Sequence, residues 1–379
     1  MLLFLFWSLL FCSIFSYFLY PVLLLIFRRV GSPPITTTPS SPPPSVSLII
    51  TAHNEQARLR NKLENSLKID YPSEKLEIIV ASDGSTDQTD SISEEYSDKG
   101  VKLVRPEERL GKENAQKTAI THASGDIVVF SDVATEIPHN ALTLMTQYFS
   151  DETIGAVSSE DRFISSDGSV AGEGAYVKYE MWLRQQESEL AGLVGLSGSF
   201  FAARKEICNE WDIHAPSDFN TALNCTKNGY RAVSAPDVLG FYPDLKDPSK
   251  EYSRKIRTVI RGMTALARHP EVLNPFKYKL FAFQVFSHKI MRWLEPWFLI
   301  GLLGTTIALA PSHGFFSLCL IAQLAFYGVA TIAHYKQSTT KLSPVKIIYF
   351  FVQVNLALLD ASLKFLTGTR MTTWKPSAR

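Results

Sequence analysis

The 379-residue sequence has little excess of charge of either sign. Its 38 basic and 37 acidic residues leave a formal net charge of +1, with no long run of one sign. A nucleic-acid binder needs a basic face, so no nucleic-acid partner is expected. Cysteine is scarce: Cys12, Cys208, Cys225 and Cys319 stand far apart, without CxxC or CxxH spacing. That argues against a disulfide framework or a zinc site and fits a reducing compartment. The chain has no GxGxxG and no GxxxxGK followed by Ser or Thr, so neither a dinucleotide site nor a P-loop is indicated. The first residues carry no Lys or Arg, and a cleaved signal peptide would begin with one.

What the chain does have is segregated. Leu2 to Phe27 is uncharged and is followed by Arg28-Arg29; a bilayer core needs roughly 20 apolar residues. This reads as an uncleaved anchor whose C-terminal end faces the cytoplasm. Gly31 to Ser45, rich in Pro, Ser and Thr, cannot bury apolar area and reads as a semi-extended tether. Near the other end, Trp297–Ala310 and Phe315–Ala333 are apolar and are separated by Pro311-Ser-His-Gly. That loop lacks Lys and Arg and is expected to face away from the cytoplasm. The next loop, with Lys336, Lys341 and Lys346, is expected to face in. Upstream, Lys277, Gln284, His288, Arg292 and Glu295 form one polar stripe among Phe and Leu, as in a helix lying in the membrane interface.

The last apolar run, Ile347–Leu366, carries Gln353, Asn355, Asp360 and Lys364, which are costly in hydrocarbon. Its length favours a span. A span would leave the basic tail (Arg370, Lys375, Arg379) outside, against the charge rule, so an interfacial course stays open. The expected organisation is an anchor at 1–29, a linker at 30–45 and a soluble domain at 46–275. An interfacial helix at 276–293, transmembrane helices at 294–367 and a tail at 368–379 follow.

From Ser47 the pattern becomes short β-branched runs alternating with amphipathic stretches. Strands are expected at Val46–Thr51, Leu76–Ser82, Val101–Val104, Asp126–Ser131, Ala156–Ser159 and Phe200–Ala203. Helices are expected at Glu55–Leu67, Thr86–Ser97, Lys112–Ala123 and Ala141–Phe149. The alternation predicts an α/β fold, a mostly parallel sheet covered by helices. In such sheets, polar residues past the carboxyl ends of strands line the ligand crevice. Glu55, Asp83 and Asp132 sit at three such ends.

Each candidate has a bland reading beside the chemical one. Asp83, in Ser82-Asp83-Gly84-Ser85-Thr86-Asp87, can belong to a helix cap or face a ligand's base or ribose. Asp132, in Phe130-Ser131-Asp132, can be a turn residue or hold a hard cation, since Mg²⁺ takes only one or two carboxylates beside water and phosphate oxygens. Lys112, opening a helix after Arg109-Leu110-Gly111, can be solvated or bind phosphate. Asp218, at the start of the helix running to Asn228, can cap it or serve as a general base. Lys250, Arg254, Arg257, Arg261 and Arg268 share one helical face opposite Ile256, Val259, Ile260, Met263 and Ala267. That basic face suits a diphosphate clamp or anionic lipid headgroups equally.

Taken in order, several segments resemble a family-2 inverting glycosyltransferase of the membrane-bound group that includes cellulose, hyaluronan and poly-GlcNAc synthases. They are Val46–Glu55, Asp70-Tyr-Pro72, Leu76–Asp87, Arg109-Leu-Gly-Lys112, Phe130-Ser-Asp132, Tyr179-Glu180, Glu187-Ser188 and Gly195–Ser199. After these come Ser217-Asp218-Phe219, Gly229-Tyr-Arg231, Arg254-Lys-Ile-Arg257 and Ser287–Trp293. The likeness covers about residues 46–300, and Trp374-Lys-Pro376 fits it too.

The resemblance implies a GT-A fold (Rossmann-like, mostly parallel) on the cytoplasmic side of a bacterial inner or plasma membrane. It implies a nucleotide-sugar donor, usually a UDP-sugar, and a lipid-linked or saccharide acceptor. By the same likeness Glu55 and Asp83 hold the nucleoside, Lys112 contacts the nucleotide end, and Asp132 binds Mg²⁺ or Mn²⁺ and the diphosphate. Asp218 is the base, and Ser197, Gly198, Arg254 and Arg257 lie on the diphosphate and acceptor side. Membrane lipids and synthase or export partners are implied as well.

Two departures stand out. The family's Asp-x-Asp reads Asp132-Val-Ala134, one metal contact fewer. Its Gln-x-x-Arg-Trp reads Arg254-Lys-Ile-Arg257-Thr258, which points to single transfer or short-chain extension in polysaccharide or glycolipid synthesis. A processive synthase and a non-catalytic nucleotide-sugar-binding subunit are the alternatives.

Overall fold

The structure is a computed structural model that describes residues 1–28, 35, 37–38, 41–164, 175–243 and 248–371. Arg29, much of the linker, and the tail with Lys375, Arg379 and Trp374-Lys-Pro376 lie outside the described residues.

Among those residues one seven-stranded sheet forms, in the order β3-β2-β1-β4-β6-β5-β7. Its strands are β1 (Val46–Ala52), β2 (Leu76–Ser82), β3 (Val101–Val104), β4 (Ile127–Asp132), β5 (Ile154–Ile164), β6 (Phe200–Arg204) and β7 (Arg231–Pro243). β1 pairs in parallel with β2 and β4, β2 with β3, and β5 with β7. Only β6 runs against its neighbours β4 and β5. The expected mostly parallel sheet is therefore the observed one.

The strand sequences explain the layers. Successive side chains of a strand face opposite sides. Val46, Leu48, Ile50 and Ala52 of β1 join Ile78 and Val80 of β2 and Ile127 and Val129 of β4 in one core. Ile49, Ile79, Ala81, Val128 and Phe130 face the other. Helices α3 (Leu59–Ser66), α4 (Thr89–Glu94) and α6 (Ala141–Gln147) cover the first face with Leu59, Leu63, Ile92 and Met145. Helices α5 (Lys112–His122) and α8 (Ser217–Lys227) cover the second with Ala115, Ala119, Ile120, Ala222 and Cys225. Trp211 stacks on Phe130, ring centres 4.9 Å apart.

Two elements lie outside the expected set. The strand β7 contains Pro236 and Gly240 and slips register against β5 between Ser158 and Glu160. Proline is tolerated at edges and bulges, and β7 is an edge strand. The helix α7 (Ala175–Leu190) buries Gln186, Glu187 and Ser188, so it has no simple apolar stripe to read.

The chain divides into two compact units; the sheet and its helices belong to residues 24–250 and 261–284. The other unit comprises residues 1–23, 251–260 and 285–370. It holds α1 (Leu2–Ile14) and the start of α2 (Tyr20–Arg28), which are joined by residues 15–19 into one helix. It also holds α11 (Met291–Leu309), α12 (Gly314–Tyr335) and α13 (Ser343–Leu366). The helix α10 (Pro275–Val285), kinked at Lys279, continues through 286–290 into α11. Four helices among the described residues are long and apolar enough to cross a membrane: Leu2–Arg28, Pro275–Ser312, Gly314–Tyr335 and Ser343–Leu366. Phe6, Leu302 and Phe316 pack together in this unit. Asp360 and Lys364 of α13 pair with each other at 2.9 Å, which offsets part of the cost of carrying both in an apolar helix.

Candidate active site

The strand order reverses at β1, with β2 on one side and β4 on the other. Loops leaving the carboxyl ends of such neighbours open onto one crevice. The loops after β1 and β2 are zipped together. Asn54 Oδ1 accepts from the Thr86 amide (2.8 Å), the Glu55 amide donates to Thr89 Oγ1 (2.7 Å), and the Gln56 amide donates to Asp87 Oδ2 (3.1 Å). Asp87 also accepts from the Thr89 amide and hydroxyl. The local turn chemistry thus falls to Asp87, and Asp83 is left with another task.

Asp83 is fully buried. Its Oδ1 accepts from the Gly111 amide at 3.0 Å. Its Oδ2 makes no hydrogen bond and has Arg109 Nε at 3.6 Å. Two glycines allow this approach. Gly84 has φ +61°, and a Cβ there would sit 3.1 Å from the Arg109 side chain; Gly111 turns into α5 at φ +110°. Both angles are in the region glycine adopts freely.

Lys112 follows Gly111 directly and is buried. Its ammonium donates to Asp132 Oδ1 (2.5 Å) and to the Gly198 carbonyl (3.0 Å). The Asp132 amide donates to the Ser199 carbonyl at 2.9 Å, which ties the end of β4 to the same turn. A Cβ built on Gly198 would lie 3.4 Å from Asp218 Oδ2. Asp218 is in the first turn of α8, whose N-cap is Pro216, so it does not cap that helix. Asp83, Lys112, Asp132, Ser197, Gly198 and Asp218 therefore meet along one edge of the sheet.

The remaining expected residues are placed as follows. Glu55 is buried at the end of β1, and its Oε2 takes the Arg58 guanidinium at 2.6 and 2.8 Å. Arg254 and Arg257 lie on α9 (Pro248–Arg268), in its part that belongs to the other unit. The basic stripe does not act as one surface. Arg261 is buried against Glu113 (2.6 Å), and Arg268 pairs with Asp212 (2.5 Å). For these two, the reading as a diphosphate clamp or lipid-facing cations is corrected: each already has a carboxylate partner. Lys250's side chain lies outside the described residues.

Three residues escaped sequence reasoning. Asp161 of β5 accepts from Ser197 Oγ (2.6 and 2.7 Å) and Ser199 Oγ (2.6 Å). Burial pushes its carboxyl above the usual range, nearby Asp132 adds to this, and the serines and Arg184 oppose it. Lys62 of α3 lies beneath the β4 loop, donating to Ser131 Oγ (2.7 Å) and the Thr135 carbonyl (2.6 Å). Burial lowers it to about 7. Arg109, facing Asp83, is the third. Asp161 and Lys62 sit in ordinary strand and helix contexts with no motif around them. Arg109 lay inside a quoted segment, Arg109-Leu-Gly-Lys112.

A divalent cation would have Asp132 as its protein ligand. Among the described residues no group of three His, Cys, Asp or Glu side chains could hold one alone. The Asp132 side chain keeps 25% of its surface exposed while Oδ1 engages Lys112. A single partly open carboxylate fits a cation that completes its shell with diphosphate oxygens and water. A cavity of about 520 Å³ lies at the opposite end of the strands, lined by Gly125, Asp126, Arg204 and Lys205. Its cations are already committed to the carbonyls of Phe149, Ile154 and Ala123, so it offers no comparable chemistry.

The mostly parallel seven-stranded sheet has the GT-A fold. Residues 47–211 match the model of Glycosyl transferase family 2. It is 24% identical over 182 residues to beta-monoglucosyldiacylglycerol synthase of Nostoc sp., covering 46% of this chain and 39% of that protein. It is 29% identical over 175 residues to poly-beta-1,6-N-acetyl-D-glucosamine synthase of Staphylococcus epidermidis, covering 44% and 42%. The chain thus spans about two fifths of the length of these curated relatives. Among solved structures it superposes on mannosyltransferase PcManGT from Pyrobaculum calidifontis, in complex with GDP-Man and Mn²⁺, with a TM-score of 0.75. That match has 24% identity and covers 97% of this chain and 99% of the other; it speaks for the fold.

Proposed function

We propose that the protein is a membrane-bound inverting glycosyltransferase. It moves a sugar from a nucleoside-diphosphate donor, a UDP-sugar, to a hydroxyl of a lipid-linked or saccharide acceptor. The observation that carries this is the bonded path from Asp83 through Gly111 and Lys112 to Asp132 and Gly198, with Asp218 packed against Gly198. It spans the donor's nucleoside end, its diphosphate and the acceptor hydroxyl.

Each group has a task in this reading. The buried Oδ2 of Asp83, which makes no hydrogen bond, accepts from the base or ribose, since a buried acceptor without a donor is costly. Glu55, in the loop after β1, shares the nucleoside end. Lys112 and Arg109 supply positive charge near the diphosphate. Asp132 would hold Mg²⁺ or Mn²⁺, which when bound offsets charge on the leaving diphosphate. Asp218 takes the acceptor proton as the hydroxyl attacks C1 from the face opposite the leaving group. Ser197 and Gly198 line the side where donor and acceptor meet, and the family resemblance assigns Arg254 and Arg257 to the acceptor.

The named relatives support both glycolipid and polysaccharide synthesis. The missing Gln and Trp around Arg254 and Arg257 favour single transfer over long polymerisation. The apolar helices at both ends suit an acceptor drawn from the membrane. By the distribution of Lys and Arg, the catalytic domain is cytoplasmic.

The test is release of nucleoside diphosphate from a panel of UDP- and GDP-sugars with Mg²⁺ or Mn²⁺ and membrane lipid extract. Release from a UDP-sugar only when lipid is present is expected. No release from any donor would leave a non-catalytic binding subunit. Equal use of a water-soluble acceptor would remove the lipid acceptor from the proposal.

A further inference from the structure

Three contacts run through one short turn. The Gly198 carbonyl accepts from Lys112, the Ser199 carbonyl accepts from the Asp132 amide, and the Gly198 Cα faces Asp218. The turn thus touches Lys112, Asp132 and Asp218 at once. Backbone bonds tie its ends, Leu196 to Asp218 and Asp132 to Ser199, but none of them holds the hydroxyls of Ser197 and Ser199.

A carboxylate behind it does. Asp161 takes the hydroxyls of Ser197 and Ser199, the residues flanking Gly198, at 2.6–2.7 Å. The two hydroxyls are 3.0 Å apart, and the Ser197 amide is held by Ser158 Oγ at 2.7 Å. A carboxyl group presents two acceptor oxygens to the two hydroxyls, where an amide presents one. This clamp is anchored in the sheet: Asp161 stands in register with Gly240 of β7.

We propose that Asp161 is a positioning residue which, through the hydroxyls of Ser197 and Ser199, holds the 197–199 turn so that Lys112, Asp132 and Asp218 face one reaction centre. This rests on the glycosyl-transfer reading above and names a further residue for it. The carboxylate acts on the geometry between donor and base. It does not act on the nucleoside end, where Asp83 lies.

The experiment compares the full-length protein with Asp161→Asn, with the double variant Ser197→Ala/Ser199→Ala, and with the triple combination. It uses the donor found by the panel and reads kcat, donor KM, UDP affinity by calorimetry and the thermal midpoint. A misplacement near 1 Å can cost on the order of 100-fold. Asp161→Asn is expected to lower kcat by about 10- to 100-fold, with donor KM and UDP affinity within about threefold. The serine pair should lose a similar factor, and the triple variant should be no worse than Asp161→Asn alone. Should Asp161→Asn fail to fold, the serine pair carries the test: its kcat must fall with donor KM unchanged. Unchanged kcat, losses that multiply in the triple variant, or a UDP affinity that falls in step with kcat would each overturn the proposal. A wild-type protein inactive on every donor would instead sink the glycosyl-transfer reading.

Discussion

The Lys112 ammonium lies 2.5 Å from Asp132 Oδ1, in a site where Lys112 is almost fully buried and Asp132 is not. The lysine therefore occupies one of the oxygens that a divalent cation would use. Two unit charges about 4 Å apart interact by about 4 kcal/mol at an effective dielectric near 20. Lys112→Met should then bind Mn²⁺ more tightly than wild type in the absence of nucleotide, by at least about tenfold, since relieving about 1.4 kcal/mol of that interaction at a partly exposed carboxylate is enough. It should also bind UDP more weakly. Manganese titration followed by electron paramagnetic resonance reads the first effect and calorimetry the second. Unchanged Mn²⁺ affinity would mean that the cation does not share Asp132 with the lysine.

Asp218 and Asp83 separate by assay. Removing a general base costs about 10²–10⁴ in rate, so Asp218→Asn should lose turnover by that order while UDP affinity stays within about threefold. Asp83→Ala should lose UDP affinity instead, because its buried carboxylate oxygen has no hydrogen bond until a ligand arrives. Wild-type turnover in Asp218→Asn would remove the base assignment. Unchanged UDP affinity in Asp83→Ala would remove that residue from the nucleoside end.

The sheet and its carboxyl-edge acids were legible because both are local. β1, β2 and β4 are buried apolar runs that each stop at a polar turn, and a strand end predicts a crevice without knowledge of its neighbours. β7 was not legible, since Pro236 and Gly240 look like turn residues unless a bulge against β5 is already known. Asp161 and Lys62 were illegible for a related reason. Their partners are distant in sequence, at 197 and 199 for one and at 131 and 135 for the other, so no spacing rule brings them together. The basic helix shows the opposite failure. Its stripe was plain, but only packing reveals that Arg261 and Arg268 spend their charge on Glu113 and Asp212.

Arg261 is therefore predicted to be a structural residue. Both it and Glu113 are buried, and breaking a buried ion pair by removing one partner costs about 3–5 kcal/mol. Arg261→Met should lower unfolding stability by about that amount. Arg268→Ala, at a half-exposed side chain, should cost about 1 kcal/mol or less. Denaturant unfolding of the two variants gives the comparison. Equal small losses, with weaker binding to anionic vesicles in both, would restore the lipid-facing role that the ion pairs argue against.

Lys62 makes stability depend on pH in a defined direction. Burial lowers it from 10.5 to about 7 in the folded protein. Below about 7 it is charged in both states, and the folded state bears the full cost of a buried ammonium. Between about 7 and 10.5 the unfolded chain holds a proton that the folded chain has released. Stability therefore rises with pH across that window. Lys62→Met lacks the titration but also loses the bonds to Ser131 and Thr135, so the informative quantity is the pH slope and not the absolute midpoint. The difference in unfolding free energy, wild type minus Lys62→Met, should be flat below about pH 6 and should grow in favour of wild type from pH 7 to 10. A difference that stays constant throughout, or that shrinks, would mean that Lys62 keeps its proton in the folded state.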